Sequence, residues 1–412
     1  MTTQPSIRPK IRPVQTQPMV RNGQAGLVLM DPLRLSGRVI FVPQALAPVL
    51  ALADGTRDLN ELRAALMIRA GVRVSLAVLE TFFAQLDEAL LLDNDRFAAA
   101  RQAALEEYRA APFRPPSMAG RSYPADPEEL ARLLQSYLDA TLVSVSDEPV
   151  DSVCGLISPH IDYQRGGAVY AGVWQAAAEA VRQAECVILF GTDHFGKDGT
   201  LTLTRQHYAT PWGVLPTDQA VVDAVSAALG QEAAFGEEVN HRSEHSLELV
   251  VVWLHHMRGG QPCSLVPILC GGLEMYMEPG KPGPGEDARL TAAIEALRQA
   301  VVGRRTLVVA AADLAHLGPA FNTPPLDFAA RARLRTQDGE LLRVIATGDA
   351  EALFRLVAAE GNRRHICGLA PIYWMLRLLD GATGILTGYE HCPADQRGTS
   401  LVSIAGMVFR RK

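Results

Sequence analysis

Three near-continuous apolar runs constrain this chain more than any other feature, because each ends on polar residues and a histidine follows. The run from Val153 passes Ser158 and breaks at Pro159 to deliver His160. Cys186-Val-Ile-Leu-Phe-Gly-Thr-Asp ends at His194, and Thr306-Leu-Val-Val-Ala-Ala-Ala-Asp313 is followed by His316. With ten histidines in 412 residues, about one position in forty carries one by chance, so three such coincidences point to one site. Runs of this kind suit strands buried on both faces of a helix-covered parallel sheet. In such sheets ligands bind beyond the carboxyl ends of the strands, where these histidines fall.

Length predicts two or three domains, and 48% hydrophobic against 20% charged residues describes a well-cored chain. No apolar run is long enough to span a bilayer, and Met1-Thr-Thr-Gln-Pro lacks a signal-peptide layout, so no membrane association and a cytoplasmic location are expected. A net charge of −6 argues against nucleic acid as a partner. The six cysteines show no CxxC spacing. Cys154, Cys186 and Cys270 lie in apolar surroundings and are expected in the core rather than in disulfides.

The expected organisation is a disordered basic leader over 1–22, a small module over 23–95, a helix and proline-rich linker over 96–117, and a main domain over 118–412. Short strands are expected near Gly26–Met30 and Val39–Pro43. Asp58 and Ser75 are placed to cap helices running to about Ala70 and Leu91. This layout resembles the small winged-helix modules of the PqqD-like type, which implies a peptide-binding edge serving a radical-SAM partner system; an accessory or dimerisation domain is the alternative that such a helical pattern more often denotes. In the main domain Asp126-Pro-Glu-Glu opens a helix. Strands near Val153, Val187, Leu201, Ser264, Thr306, Gly384 and Leu401 alternate with helices, including Val169–Arg182 and one beginning near Glu244. The fold class expected is α/β, with a central, mostly parallel sheet flanked by helices, plus a small, mainly helical N-terminal domain.

A lone histidine after a strand is ordinarily a satisfied polar residue. Several together, if buried without partners, would cost on the order of 1 to 3 kcal/mol each, so the cluster implies a metal, a network or open solvent. Within the helix near Glu244, His245 and Glu248 lie on successive turns of one face, and the three are expected to orient a ligand rather than to be one. His207, His241, His365 and His391 are expected in surface loops. No Gly-x-Ser-x-Gly elbow, HExxH helix or P-loop supports a different enzyme class.

Eight short motifs in order carry a resemblance: Ala119 to Pro127, Ser158 to Tyr163, Gly191 to His194, Tyr208 to Gly213, Glu244 to Glu248, Val266 to Leu269, Ala312 to His316 and Ile366 to Pro371. From about residue 118 onward the chain resembles the Memo family, often called AmmeMemoRadiSam system protein B in bacteria and archaea after AMMECR-type and radical-SAM-type partners. That family shares the fold of the LigB-like class III extradiol dioxygenases. The resemblance implies metal positions at His160, His194 and Cys367. It also implies an acid/base histidine at His316, with Asp313 close by.

Two imidazoles and a thiolate leave room for water or substrate. Iron is the metal expected; the softness of a thiolate also admits copper or zinc. Relatives usually have Ala-Gly after the first histidine, whereas this chain has Ile161-Asp162, and Asp193 stands where asparagine or serine is common. Both aspartates are expected in the pocket or just behind it: either is placed to supply the hard ligand that Cys367 does not, and Asp162 is equally placed to block a substrate that relatives admit. The leading expectation is a metal-dependent oxidoreductase in which His316 moves protons and Asp313 holds it. The alternative is a non-catalytic peptide- or metal-binding protein working with radical-SAM or AMMECR-type partners. A zinc hydrolase ranks third.

Overall fold

The computed structural model describes residues 7–141 and 153–411. It divides into two compact units, Met1–Ala110 and Ala111–Lys412.

In the first unit, strands β1 (Gln15–Arg21), β2 (Gln24–Met30) and β3 (Ile40–Pro43) form an antiparallel sheet in that order. The β1–β2 hairpin turns on Asn22-Gly23, both in the left-handed region at φ 51° and 76°, the backbone that a two-residue hairpin turn requires. The expected disorder of the leader is therefore corrected for residues 7–22; residues 1–6 lie outside the described residues. Arg12 also pairs with Asp31 where both side chains are buried, and Asp31 accepts from the main-chain N–H of Leu33, Leu35 and Ser36. Helices Leu59–Ala70 and Leu76–Glu88 begin at Asp58 and Ser75, whose side chains accept from first-turn N–H groups. Leu62, Leu66, Leu79, Phe83 and Leu86 pack with Leu29 and Val42 to make this unit's core.

The second unit holds β4 (Val153–Ser158), β5 (Cys186–Thr192), β6 (Leu201–Leu203), the hairpin β7 (Tyr208–Thr210) and β8 (Gly213–Leu215), then β9 (Ser264–Cys270), β10 (Thr306–Ala311), β11 (His316–Leu317), β12 (Thr383–Pro393) and β13 (Leu401–Arg410). The main sheet runs β11-β13-β4-β10-β5-β9-β6, and β12 pairs with β13. Its centre, β4-β10-β5-β9, is parallel, while β13 and β6 close it antiparallel on either side. Strand β5 is buried at every residue and β9 and β10 at all but the first, as strands covered on both faces should be. One apolar layer packs Val225, Leu290 and Trp374 against Ile188 and Val308; the other packs Trp174, Leu249 and Trp253 against Leu189 and Val309. Among the described residues no helix is long and apolar enough to cross a membrane.

Local expectations are corrected at three places. The proline-rich stretch after Ala110 belongs to the large unit: the Arg114 main chain bonds His207 and Ala209, and its side chain is fully buried against Glu248 at 2.7 Å. The helix expected from Val169 starts at Tyr163, because Asp162 caps it. Of the histidines expected in surface loops, His241 is wholly buried, its ring between the Tyr208 hydroxyl at 2.7 Å and the Thr202 carbonyl at 3.0 Å, and His391 lies within β12 with its Nε2 2.6 Å from the Tyr389 hydroxyl.

Candidate metal centre

The parallel strands end side by side at Ser158 (β4), Ala311 (β10) and Thr192 (β5). Two residues past these ends come His160, Asp313 and His194. The neighbouring order β4-β10-β5 therefore sets Asp313 between the two histidines along the rim.

His160 is fixed from both sides. Its main-chain N–H donates to Asp313 Oδ1 at 2.8 Å, and its Nδ1 lies 3.0 Å from the Ala311 carbonyl. A carbonyl only accepts, so Nδ1 carries the hydrogen and Nε2 presents its lone pair. That atom is 3.3 Å from Cys367 Sγ. His194 is oriented by Glu244, whose two carboxylate oxygens lie 3.0 and 3.1 Å from its Nδ1. Cys367 lies just before the helix Leu369–Leu379, and its carbonyl accepts from Thr192 Oγ1 at 3.0 Å. One ligand atom from each of His160, His194 and Cys367 falls within a sphere of contacts no longer than 4.8 Å.

The charges agree with this arrangement. Burial works against a charged His160, but the Asp313 carboxylate and the Cys367 thiolate favour it and lift it to about 9. Burial likewise opposes charge on His194, and Glu244 and Cys367 raise it well above an ordinary histidine. For Cys367, burial would hold the proton on, yet His160 and His316 drive the thiol well below its usual range. These shifts favour the thiolate that a metal needs at Cys367, with the balancing charge on the neighbouring imidazoles.

His194, Glu244 and His245 also approach within 4.8 Å, but this second group is a hydrogen-bond hub. Glu244 accepts from the N–H of His194, His245 and Ser246 and from the His194 ring Nδ1, which fills the roughly four lone-pair sites of a carboxylate, and the His245 Nδ1 lies 3.0 Å from it. Burial is outweighed by the two histidines, so the carboxyl stays well below its usual range. The His245 ring stacks on His194 at 4.9 Å and stands edge-on to His160 at 5.6 Å.

Other expected residues go elsewhere. Asp162 caps the helix from Tyr163 and binds Arg165 through both oxygens, so it is not at the pocket. Asp193 accepts twice from Asn240 at 2.9 and 3.1 Å, and burial pushes it up to about 6. Neither aspartate belongs to the ligand groups among the described residues. Glu248 points to Arg114, Tyr123, Ser117 and Met118 and forms a buried ion-pair network instead of orienting a ligand. Asp313 holds His160 rather than His316. The His316 ring, half-buried, has its Nδ1 at 3.0 Å from the Leu314 carbonyl and 3.2 Å from that of His365, and Phe321 stands edge-on to it at 5.0 Å. Sequence reasoning missed the Ala311 carbonyl and the loop before Cys367, since main-chain contacts leave no side-chain pattern.

Fold and site together define a class: α/β proteins with a two-histidine, one-cysteine group at the carboxyl rim of a mostly parallel sheet. The family model for Memo-like proteins matches residues 114–408, and the chain belongs to that family. A MEMO1 family protein of Aquifex aeolicus is 26% identical over 98% of this chain and 100% of its own length. One from Thermus thermophilus is 29% identical, covering 78% of this chain and 90% of the relative. One from Archaeoglobus fulgidus is 26% identical, covering 72% and 100%.

Proposed function

We propose that this chain is a metal-dependent oxidoreductase working at one metal ion held by His160, His194 and Cys367, with iron(II) as the metal. The observation that carries the reading is the convergence of two imidazoles and the Cys367 sulfur, with the His160 and His194 Nδ1 atoms occupied by Ala311 and Glu244. Such a set fits one ion with positions to spare. It suits iron(II), copper(I) and zinc; the base at His316 favours a metal engaged in chemistry over storage. When bound, the ion supplies a redox-active, Lewis-acidic open position.

The protein's own part is orientation and proton handling. Asp313 and Ala311 hold His160, Glu244 holds His194, and the His316 Nε2 lone pair is left free to take a proton from substrate. Anaerobic purification followed by metal analysis, then oxygen uptake and ring-cleavage absorbance with catechols and iron(II), tests this. Near-stoichiometric iron and uptake that disappears in His316→Gln are expected. Trace metal and no uptake contradict the reading.

A second reading is favoured by one observation. The Aquifex relative matches almost the whole chain, including the N-terminal unit. In this reading the PqqD-like unit binds a peptide or recruits a radical-SAM or AMMECR-type partner, and the metal group serves that assembly. Loss of partner capture on deleting the first unit, with the metal content unchanged and no turnover, would select it.

A further inference from the structure

The loop that delivers Cys367 runs over residues 360–368 and is held by side chains rather than regular structure. Asn362 and His365 are left-handed at φ 47° and 50°, a backbone uncommon outside glycine that asparagine and histidine tolerate better than most. Asn362 bonds Glu274 at 2.8 Å and accepts from the Ile366 N–H at 2.9 Å. Arg364, nearly buried, pairs with Asp338 at 2.7 Å and with Glu360 at 2.7 Å. Asp338 is wholly buried on the helix Phe328–Ala346, and its other oxygen accepts from Tyr389 at 2.8 Å.

The main chain around Arg364 touches the site twice. Its carbonyl accepts from the His316 N–H at 2.8 Å, and the next carbonyl, at His365, faces His316 Nδ1. Facing only carbonyls, Nδ1 carries the hydrogen and Nε2 the lone pair. Three residues past Arg364 comes Cys367. His160 and His194, by contrast, are carried by the ends of β4 and β5.

We propose that Asp338 and Arg364 are positioning residues of the metal centre: their buried ion pair fixes the loop that places the Cys367 sulfur and that, together with the Leu314 carbonyl, holds the tautomer of His316. The first half rests on the metal reading above, whereas the His316 half requires no metal. A pair that merely joined two elements would affect stability alone.

The test uses the full chain, Asp338→Asn, and the double variant Asp338→Leu/Arg364→Met, since apolar replacement of a buried pair commonly preserves folding. Val225→Ala, a core truncation on a helix without site residues, is the control for lost stability. Cobalt(II) titration reads the near-ultraviolet thiolate-to-cobalt band, and nitrogen NMR of the imidazoles, assigned with His316→Gln, reads the tautomer. Both Asp338 variants are expected to bind cobalt about 10- to 100-fold more weakly with the thiolate band diminished, and to mix the His316 tautomers. The control keeps the band, the affinity and the tautomer. Variants matching the unaltered protein within about twofold in affinity, with band and tautomer unchanged, overturn the proposal. If the unaltered protein shows no thiolate band but the tautomer shifts as expected, the metal reading fails and the positioning of His316 stands. An absent band with an unmoved tautomer overturns both.

Discussion

The two halves of the metal group are supported in different ways. His160 and His194 stand two residues beyond the parallel strands on either side of β10, so the sheet places them and one partner each at Nδ1, Ala311 and Glu244, orients them. Cys367 and the main-chain hold on His316 come from an irregular loop anchored by the Arg364–Asp338 pair, residues 26 positions apart in sequence. The strand-borne half takes its precision from backbone ladders; the loop-borne half takes its precision from a few buried polar contacts. The thiolate half should therefore be the easier one to disconnect.

The largest expected effect comes from removing the thiolate itself. Cys367→Ala should weaken metal binding by more than about 100-fold, beyond the range of changes to supporting residues, as read by chelator competition. An affinity near that of the unaltered protein would leave the strand half sufficient and end the division into two halves. Glu244→Gln comes next, with an expected loss of about 10- to 100-fold. If it exceeds the loss from Cys367→Ala, the strand half is the less robust one and the comparison reverses.

Proton linkage gives a third check. In the metal-free protein Asp313 and Cys367 raise the His160 pKa to about 9, and Glu244 and Cys367 raise that of His194 above the ordinary value. Metal binding displaces ring protons, so affinity should climb as pH rises towards about 9, with proton release on binding near neutrality. The sign for the metal-free fold is opposite. A raised histidine stabilises fully below its unfolded pKa, and that contribution fades as pH rises through its folded value. Isothermal titration in buffers of different ionisation enthalpy counts the protons; release close to zero would show neutral imidazoles.

Two smaller effects mark the edges of the site. Asp162→Ala should cost about 1 kcal/mol of stability through the lost helix cap and leave the metal content unchanged in thermal melts and metal analysis. Reduced metal would return Asp162 to the pocket. Deleting residues 1–110 should leave metal stoichiometry unaltered; its loss would show that the units depend on each other.

The central sheet was readable in sequence because doubly covered strands are written as continuous apolar runs, and His160, His194 and Asp313 were readable as the polar residues that follow them. Cys367 came only through family resemblance, since no run or period surrounds it. The aspartates misled because adjacency to a ligand says nothing about direction: Asp162 turns to cap a helix and Asp193 turns to Asn240. Strand β1 carried a signal in Asn22-Gly23 that the basic, proline-containing composition of the leader obscured. Arg364 and Asp338 left no trace, because a buried ion pair between distant residues has no sequence spacing of its own.

The most direct test of the metal centre is X-ray absorption of the protein loaded with one equivalent of zinc. The arrangement predicts one sulfur near 2.3 Å and two imidazole nitrogens at about 2.0 to 2.1 Å, with the sulfur shell absent in Cys367→Ser. A shell of oxygen and nitrogen alone in the unaltered protein would contradict it.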